Sequence, residues 1–282
     1  MNIWEALILG VVQGVTEFLP VSSSGHLVLL QRVFGIEEPA LVFDTAVHGG
    51  TLIAVFVVLW RDIWNILRRI VQPLTLYIII GTIPAVIVAL LFKNKVEEAF
   101  ASGSFLGFAF LITSALLFFA EKLYKRAGLP GGLPGKLENP APSRFQDEMN
   151  LIDALVIGLL QAVAIIPGIS RSGATISAGL SRRLDRDFAA RFSFLLSIPA
   201  ILGALVLQGK ELMGAGPAQA GETAIGILPI AIGSFSAGIV GFFSIRLALR
   251  IVRNRSLRGF AIYTGILGLL VLADKFGTGF FF

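Results

Sequence analysis

GVVQGVTEFLPVSSSGHLV, Gly10 to Val28, sets a polar run inside an apolar one. It begins as an apolar helix. It then carries a carboxylate (Glu17), a proline (Pro20), three consecutive hydroxyls (Ser22, Ser23, Ser24), Gly25 and His26, and turns apolar again. In water such a run would be an ordinary loop. The composition puts it elsewhere. The 282 residues are 55% hydrophobic and 15% charged, where a soluble domain carries about 25% charge, and the mean hydropathy is +0.84. The chain therefore reads as a polytopic membrane protein. Its 31 glycines and 12 prolines fit, because transmembrane helices tolerate both better than soluble ones.

The lack of cysteine excludes disulfides, thiolate zinc sites and cysteine nucleophiles. The net charge of +5 is read through its placement, not as a nucleic-acid footprint. MNIWEALILG has no basic region and no small-residue cleavage site before the polar motif, so it reads as part of the mature protein.

Residues 3–18 are apolar but fall short of the roughly 20 needed to span. Pro20 and the Ser22 to Gly25 run break them, and Ser22 to Ser24 offer N-caps for a second short helix, His26 to Phe34. One imperfect span over 3–30 is the plain alternative. The sharper reading is a re-entrant hairpin with its polar tip inside the bilayer. Non-helical backbone is tolerated at that depth only where protein buries it or where it lines a cavity. Spans follow at about 41–60, 75–92 and 103–120. A polar segment, Glu121 to Asn150, contains AGLPGGLPGKLENPAPSR and reads as a loop between halves.

The second half repeats the plan. Residues 152–167 are apolar and end at Pro167–Gly168, SRSGAT forms a tip (Ser170 to Thr175), and spans follow at about 188–208, 225–245 and 258–274. At an offset of 148 positions Gly10 matches Gly158, Gln13 matches Gln161, Ser22 matches Ser170, Ser24 matches Ser172 and Gly25 matches Gly173. IPA at Ile83–Ala85 recurs at Ile198–Ala200 with a different spacing. A hairpin that returns to its own side, followed by three crossings, makes each half odd, so the second half is inverted. The expected fold is an all-α membrane protein forming one integral domain, 1–282. It has two inverted repeats, 1–120 and 151–282, joined by a cytoplasmic loop, 121–150. Each repeat holds one re-entrant hairpin and three transmembrane helices, for six full spans and about ten helices.

Basic residues test that count. One side collects Arg61, Arg68 and Arg69, the cations of 122–144, Arg182, Arg183 and Arg186, and the arginines of 246–258. The other holds Arg32, Lys93, Lys95, Lys210 and Lys275. The positive-inside rule makes the rich side cytoplasmic. Both termini then lie outside, the first hairpin opens to the outer face, and the second enters from the cytoplasm. Reading either hairpin as a full span would move the 246–258 loop to the side opposite 61–69.

Ionisable groups within membrane segments are functional candidates by default. Glu17 and His26 lie in the first hairpin, Arg171 sits at the second tip, and Asp44 and His48 belong to FDTAVHGGT at the start of the first span. If the tips meet, Glu17, Ser22 to Ser24 and His26 face Ser170, Arg171, Ser172 and Thr175. Arg171 supplies a fork suited to a phosphoryl group. Amides at Gly25, Gly173 and the adjoining helix starts can hold anionic oxygens. A serine beside a histidine or glutamate is the pattern of an activated nucleophile. Phosphoryl transfer needs mainly positioning and charge neutralisation. The set suits a lipid phosphate ester or anhydride. Plainer roles stand beside these: the serines as caps, Arg171 as a snorkelling charge, His26 as a structural donor, His48 as a hydrogen-bonding neighbour of Asp44, and Gln13 and Gln161 as helix-packing groups.

QGVTEFLPVSSSGH (Gln13 to His26) and PGISRSGAT (Pro167 to Thr175) closely resemble the two signature motifs of the bacterial undecaprenyl pyrophosphate phosphatases, the bacitracin-resistance proteins. The resemblance runs nearly the whole chain. It implies hydrolysis of undecaprenyl pyrophosphate to undecaprenyl phosphate and inorganic phosphate. That reaction recycles the lipid carrier for peptidoglycan, confers bacitracin resistance and takes place at the outer side of the cytoplasmic membrane. It implies a divalent cation, Mg²⁺ or Ca²⁺, with Glu17 as its expected ligand. It also implies a catalytic set of Ser23, His26, Glu17 and Arg171, with Ser170 and Thr175 supporting. Ser22, Ser24, Gly25, Ser172, Gly173 and Gln13 are expected to bind substrate, with His48 and Asp44 behind them. The family admits Glu or Gln at the first motif position. Gln13 here weakens any mechanism that needs two carboxylates on this helix. Ser23 is the expected nucleophile, with His26 as proton acceptor or donor in concert with Glu17; His26 as the nucleophile, with the serines only orienting, stays open as the alternative. The expected partners are undecaprenyl pyrophosphate and membrane lipid, with no nucleic acid, and a homodimer is left open. Type 2 phosphatidic acid phosphatases also carry SGH and SR elements, but they need a histidine downstream of SR, and none follows His48. A lipid or ion transporter is the competing class, since inverted repeats with broken helices are shared with transporters.

Overall fold

The computed structural model describes residues 1–36, 40–103, 105–127, 144–214 and 226–279. Among these the only β pairing is the bridge between Arg144 and Leu184. The first hairpin consists of α1 (Ile3–Thr16) and α2 (Ser23–Val33). Next come α3 (Leu41–Val58), α4 (Trp60–Arg68), α5 (Pro73–Leu91), α6 (Lys93–Ser102) and α7 (Leu106–Arg126). The second hairpin is α8 (Leu151–Val163) and α9 (Arg171–Ser181), followed by α10 (Arg186–Gly214), α11 (Ile227–Asn254) and α12 (Arg258–Ala273). Among the described residues six helices are long and apolar enough to cross a membrane: α3, α5, α7, α10, α11 and α12. They fall on the six expected spans, whereas α1 and α8 are apolar but shorter.

Two helices exceed the expected ten or so. Both α4 and α6 are short and too polar for the span pattern. The rings of Trp60 and Trp64 in α4 stack at 5.3 Å, and Arg68 lies 4.9 Å over Trp64. Such aromatic and cationic pairs suit a membrane interface. The loop expected from Glu121 also begins later, because α7 continues to Arg126. Most of that loop, residues 128–143, lies outside the described residues. Helix α2 starts at Ser23, three residues ahead of the expected His26.

Matched positions make matched local bonds. Asn2 caps α1 by accepting from the Glu5 amide, with Glu5 reaching back; Asn150 and Asp153 build the same capping box on α8. Packing exchanges partners between the halves: α1 lies against α11 and α8 against α5, while α3 packs on α11 and α7 on α12. Glycine lets the first two pairs touch backbone to backbone. A Cβ on Gly10 would sit 2.3 Å from the Gly233 carbonyl oxygen, and one on Gly158 would sit 2.6 Å from that of Gly81.

Ion pairs tie one end of the bundle. Arg186 donates to Glu121 at 2.8 Å and to the carbonyls of Val252 and Arg255, and Glu121 also accepts from the Leu257 amide. Arg191 bonds Asp62 at 3.0 Å, and Asp153 accepts from Arg144 and Arg182, each at 2.7 Å. The four basic-rich segments therefore share one end. Met1, Phe34, Ile36, Ala40 and Ile230 gather in a separate apolar cluster with the start of α1.

Candidate active site

The two hairpin tips meet. Each second helix is capped by a serine: Ser22 Oγ accepts from the Gly25 amide at 3.3 Å, and Ser170 Oγ accepts from the Gly173 amide at 3.0 Å. Bonds then cross between tips. Ser24 Oγ accepts from the Gly168 amide at 3.3 Å, and Ser172 Oγ donates to the Leu19 carbonyl at 3.1 Å. The approach demands glycine. A Cβ on Gly25 would lie 2.6 Å from the Phe110 ring and 3.2 Å from Gly168 Cα, and Gly168 itself stands at φ 89°. Two helix N-termini, α2 and α9, thus converge, and each carries partial positive charge and free amides.

Glu17 sits at the meeting point, 5% exposed, just past the end of α1. Its Oε1 accepts from the Arg171 guanidinium. Its Oε2 accepts from Ser23 Oγ at 2.5 Å and from Gln13 Nε2 at 2.9 Å, and His48 Nε2 lies 3.4 Å away. A buried carboxylate is stable only when paired and hydrogen-bonded, and Glu17 is both. Ser23 is the first residue of α2 and Arg171 the first of α9, so the two hairpins bring hydroxyl and cation to the same carboxylate. A cavity of about 330 Å³ opens beside them, within the range of small-ligand sites. Glu17, Ser22 to Ser24, Asp44, His48, Ser170 and Arg171 form its polar wall, and Leu27, Ile165, Ile169, Ala200, Ile201 and Ala204 its apolar one.

A family model described as "Bacitracin resistance protein BacA" matches residues 6–270. The chain belongs to this family. It is 43% identical over 272 residues to an undecaprenyl-diphosphatase of Carboxydothermus hydrogenoformans, covering 96% of this chain and 97% of the relative. It is 40% identical over 276 residues to undecaprenyl-diphosphatase 4 of a Bacillus cereus strain, covering 98% of each. A relative named undecaprenyl-diphosphatase in Methanosphaera stadtmanae is 36% identical over 294 residues, covering 96% of this chain and 98% of the relative.

Not every expected residue of this family member reaches the cavity. His26 is turned away: Nδ1 lies 2.6 Å from the Ser22 carbonyl and Nε2 lies 2.7 Å from Tyr263 Oη. Both ring nitrogens are engaged by these partners, and His26 is absent from the cavity wall. The imidazole beside Glu17 is that of His48, whose Nδ1 lies 2.6 Å from the Asp44 carbonyl. Asp44 is held by Gln31 at 2.7 Å. Thr175 bonds the Arg171 carbonyl and Ser193 at 2.8 and 2.6 Å and is absent from the cavity wall. It steadies the first turn of α9 below Arg171. Gly25, Gly173 and Ser172 serve the tip contacts, and Gln13 reaches the site through Glu17. Thr113, which accepts from the Ser170 amide at 3.0 Å, and Tyr263 were not among the expected residues. A threonine and a tyrosine in apolar spans carry no sequence signal of their own.

A divalent cation finds no ready site among the described residues. No three His, Asp or Glu side chains are grouped closely enough to hold one. Both Glu17 oxygens already accept from donors, and the neighbouring motif position is the amide Gln13.

Proposed function

We propose that this chain hydrolyses undecaprenyl diphosphate to undecaprenyl phosphate and inorganic phosphate, recycling the carrier lipid for peptidoglycan synthesis and conferring bacitracin resistance. The observation that carries the reading is one carboxylate, Glu17, joined at once to Ser23 and Arg171 where two helix N-termini converge. In this reading the diphosphate competes with Glu17 for Arg171, and the guanidinium fork and tip amides take the anionic oxygens. Glu17, released from its cation, accepts the proton of Ser23. Ser23 Oγ attacks the terminal phosphorus. The bond to the bridging oxygen breaks, and undecaprenyl phosphate leaves with the proton from Glu17. Water then attacks the phosphoserine, giving its proton to Glu17; the phosphorus–Oγ bond breaks, Glu17 passes that proton to Ser23 Oγ, and inorganic phosphate departs. His26 takes no proton in this scheme, because both its nitrogens are occupied elsewhere.

The apolar wall of Ile165, Ile169, Ala200 and Ile201 suits the first units of a prenyl chain. The basic-rich end lies in the cytoplasm by the positive-inside rule. That orientation opens the first hairpin and its cavity to the outer face of the bacterial cytoplasmic membrane, with both termini outside.

Purified protein in detergent releases inorganic phosphate from undecaprenyl diphosphate under this reading, and Ser23→Ala abolishes the release. No release, accompanied by passage of the lipid phosphate across sealed vesicles, would replace the hydrolase with a carrier.

A further inference from the structure

One arrangement at the first tip takes no part in the proposed hydrolysis. Ser22 stands at φ 73° and ψ 95°, one of two described non-glycine residues with positive φ. Such a backbone is strained and persists only where its surroundings hold it. The Ser22 carbonyl is held twice by His26, from the backbone amide at 3.2 Å and from Nδ1 at 2.6 Å. A carbonyl can only accept, so Nδ1 carries the proton. In the neutral ring Nε2 is then the acceptor, and Tyr263 Oη donates to it at 2.7 Å. Tyr263 comes from α12 and stacks on the imidazole at 5.7 Å and 11°, while Phe110 meets the ring edge-on at 5.6 Å. The second tip is a control within the same chain. Its cap, Ser170, has an ordinary φ of −68°, and the position matching His26 is Ala174. The clamp is present at the strained serine and missing at the relaxed one.

We propose that Tyr263 is a positioning residue for the reaction. It fixes His26 as the Nδ1–H tautomer, which pins the Ser22 carbonyl. Ser22 and Ser23 share that peptide unit, so the Ser23 hydroxyl is thereby held on Glu17. The proposal rests on Ser23 being the nucleophile. Tyr263 itself touches no substrate.

The chain has two histidines, so ¹⁵N-histidine-labelled protein in detergent gives two ring systems, assigned with His48→Gln. His26 is expected as the Nδ1–H tautomer. Tyr263→Phe keeps the ring and its stack but removes the donor, so the Nε2 signal shifts and the Nε2–H tautomer appears. The same variant lowers kcat about three- to tenfold, the loss of one hydrogen bond, with KM nearly unchanged. Ser22→Gly adopts positive φ without a side-chain penalty. In that background Tyr263→Phe costs less than about twofold, since the clamp has less strain to hold. A wild-type Nε2–H tautomer overturns the proposal. So does an unchanged kcat in Tyr263→Phe, or full additivity with Ser22→Gly. If the tautomer is wrong while Ser23→Ala is inactive, only the clamp is lost. If Ser23→Ala is active while the ring signals are as expected, the hydrolytic reading falls and the clamp has no nucleophile to position.

Discussion

At the first tip the capping serine, Ser22, stands at φ 73°; at the second, Ser170 stands at −68°. The two hairpins otherwise share their scaffold. Asparagine capping boxes open both, serines cap both second helices, and a second serine follows each cap, with Oγ atoms 3.4 and 3.2 Å apart. Gln13 and Gln161 occupy matched buried places. The residues to which the proposed hydrolysis assigns chemistry lie where the copies differ. Glu17 corresponds to Ile165, Ser23 to Arg171 and His26 to Ala174. One tip thus brings the hydroxyl and carboxylate and the other brings the permanent cation. Shared positions build the meeting point, and unshared positions make it reactive.

Glu17 separates the two tips most strongly. Glu17→Gln lowers kcat by about 10²–10⁴-fold, the usual worth of a general base, and adding Ile165→Glu at the matched place restores nothing. Recovery of phosphate release in the double variant would show the two tips to be interchangeable. The second buried ion pair gives the opposite outcome. Glu121 and Arg186 are 0% and 2% exposed and far from the tips in their contacts. Glu121→Ala therefore costs about 3–5 kcal/mol of stability, read as a lower thermal midpoint in detergent, while kcat of the folded protein holds. A kcat loss like that of Glu17→Gln would contradict the division between catalytic and structural pairs.

A smaller contrast lies in the tip glycines. A Cβ at Gly25 meets the Phe110 ring at 2.6 Å, whereas at Gly173 the nearest atoms are Ser170 side-chain atoms at 3.0 Å. Gly25→Ala is expected to cost about 1–3 kcal/mol, the range for overpacking, and Gly173→Ala less. Equal costs would mean that the first tip is no more tightly packed than the second. Added cation is expected to change nothing at either tip. With Glu17 saturated by its donors, calorimetric titration of substrate-free protein with Ca²⁺ gives no stoichiometric binding at the tips. Tight binding lost in Glu17→Gln would place a resident cation there.

Much of this was legible in the chain. Apolar runs marked all six spans, and prolines and serines marked the tips. The paired polar matches at an offset of 148 marked the two tips as copies, while charge at membrane depth and the family resemblance singled out Glu17, Ser23 and Arg171. What stayed hidden depends on tertiary placement. Both α4 and α6 are half polar and too short for a span pattern. Glu121 and Arg186 counted as loop charges because nothing local shows that they bury against each other. His26 lies nearly one turn from Ser23 along α2, so spacing puts both on one face. Only the neighbouring α12, with Tyr263, shows that the ring turns the other way. His48 reaches Glu17 from α3, a contact that no spacing within the first hairpin contains.

The most direct test of the account is to find where the terminal phosphoryl group goes. Protein mixed with undecaprenyl diphosphate labelled in its terminal phosphate, quenched in acid and in alkali and then mapped by peptide, separates phosphoserine from phosphohistidine. The account predicts acid-stable label on Ser23, and none in Glu17→Gln. Alkali-stable label on His26, with Ser23 unlabelled, would contradict it.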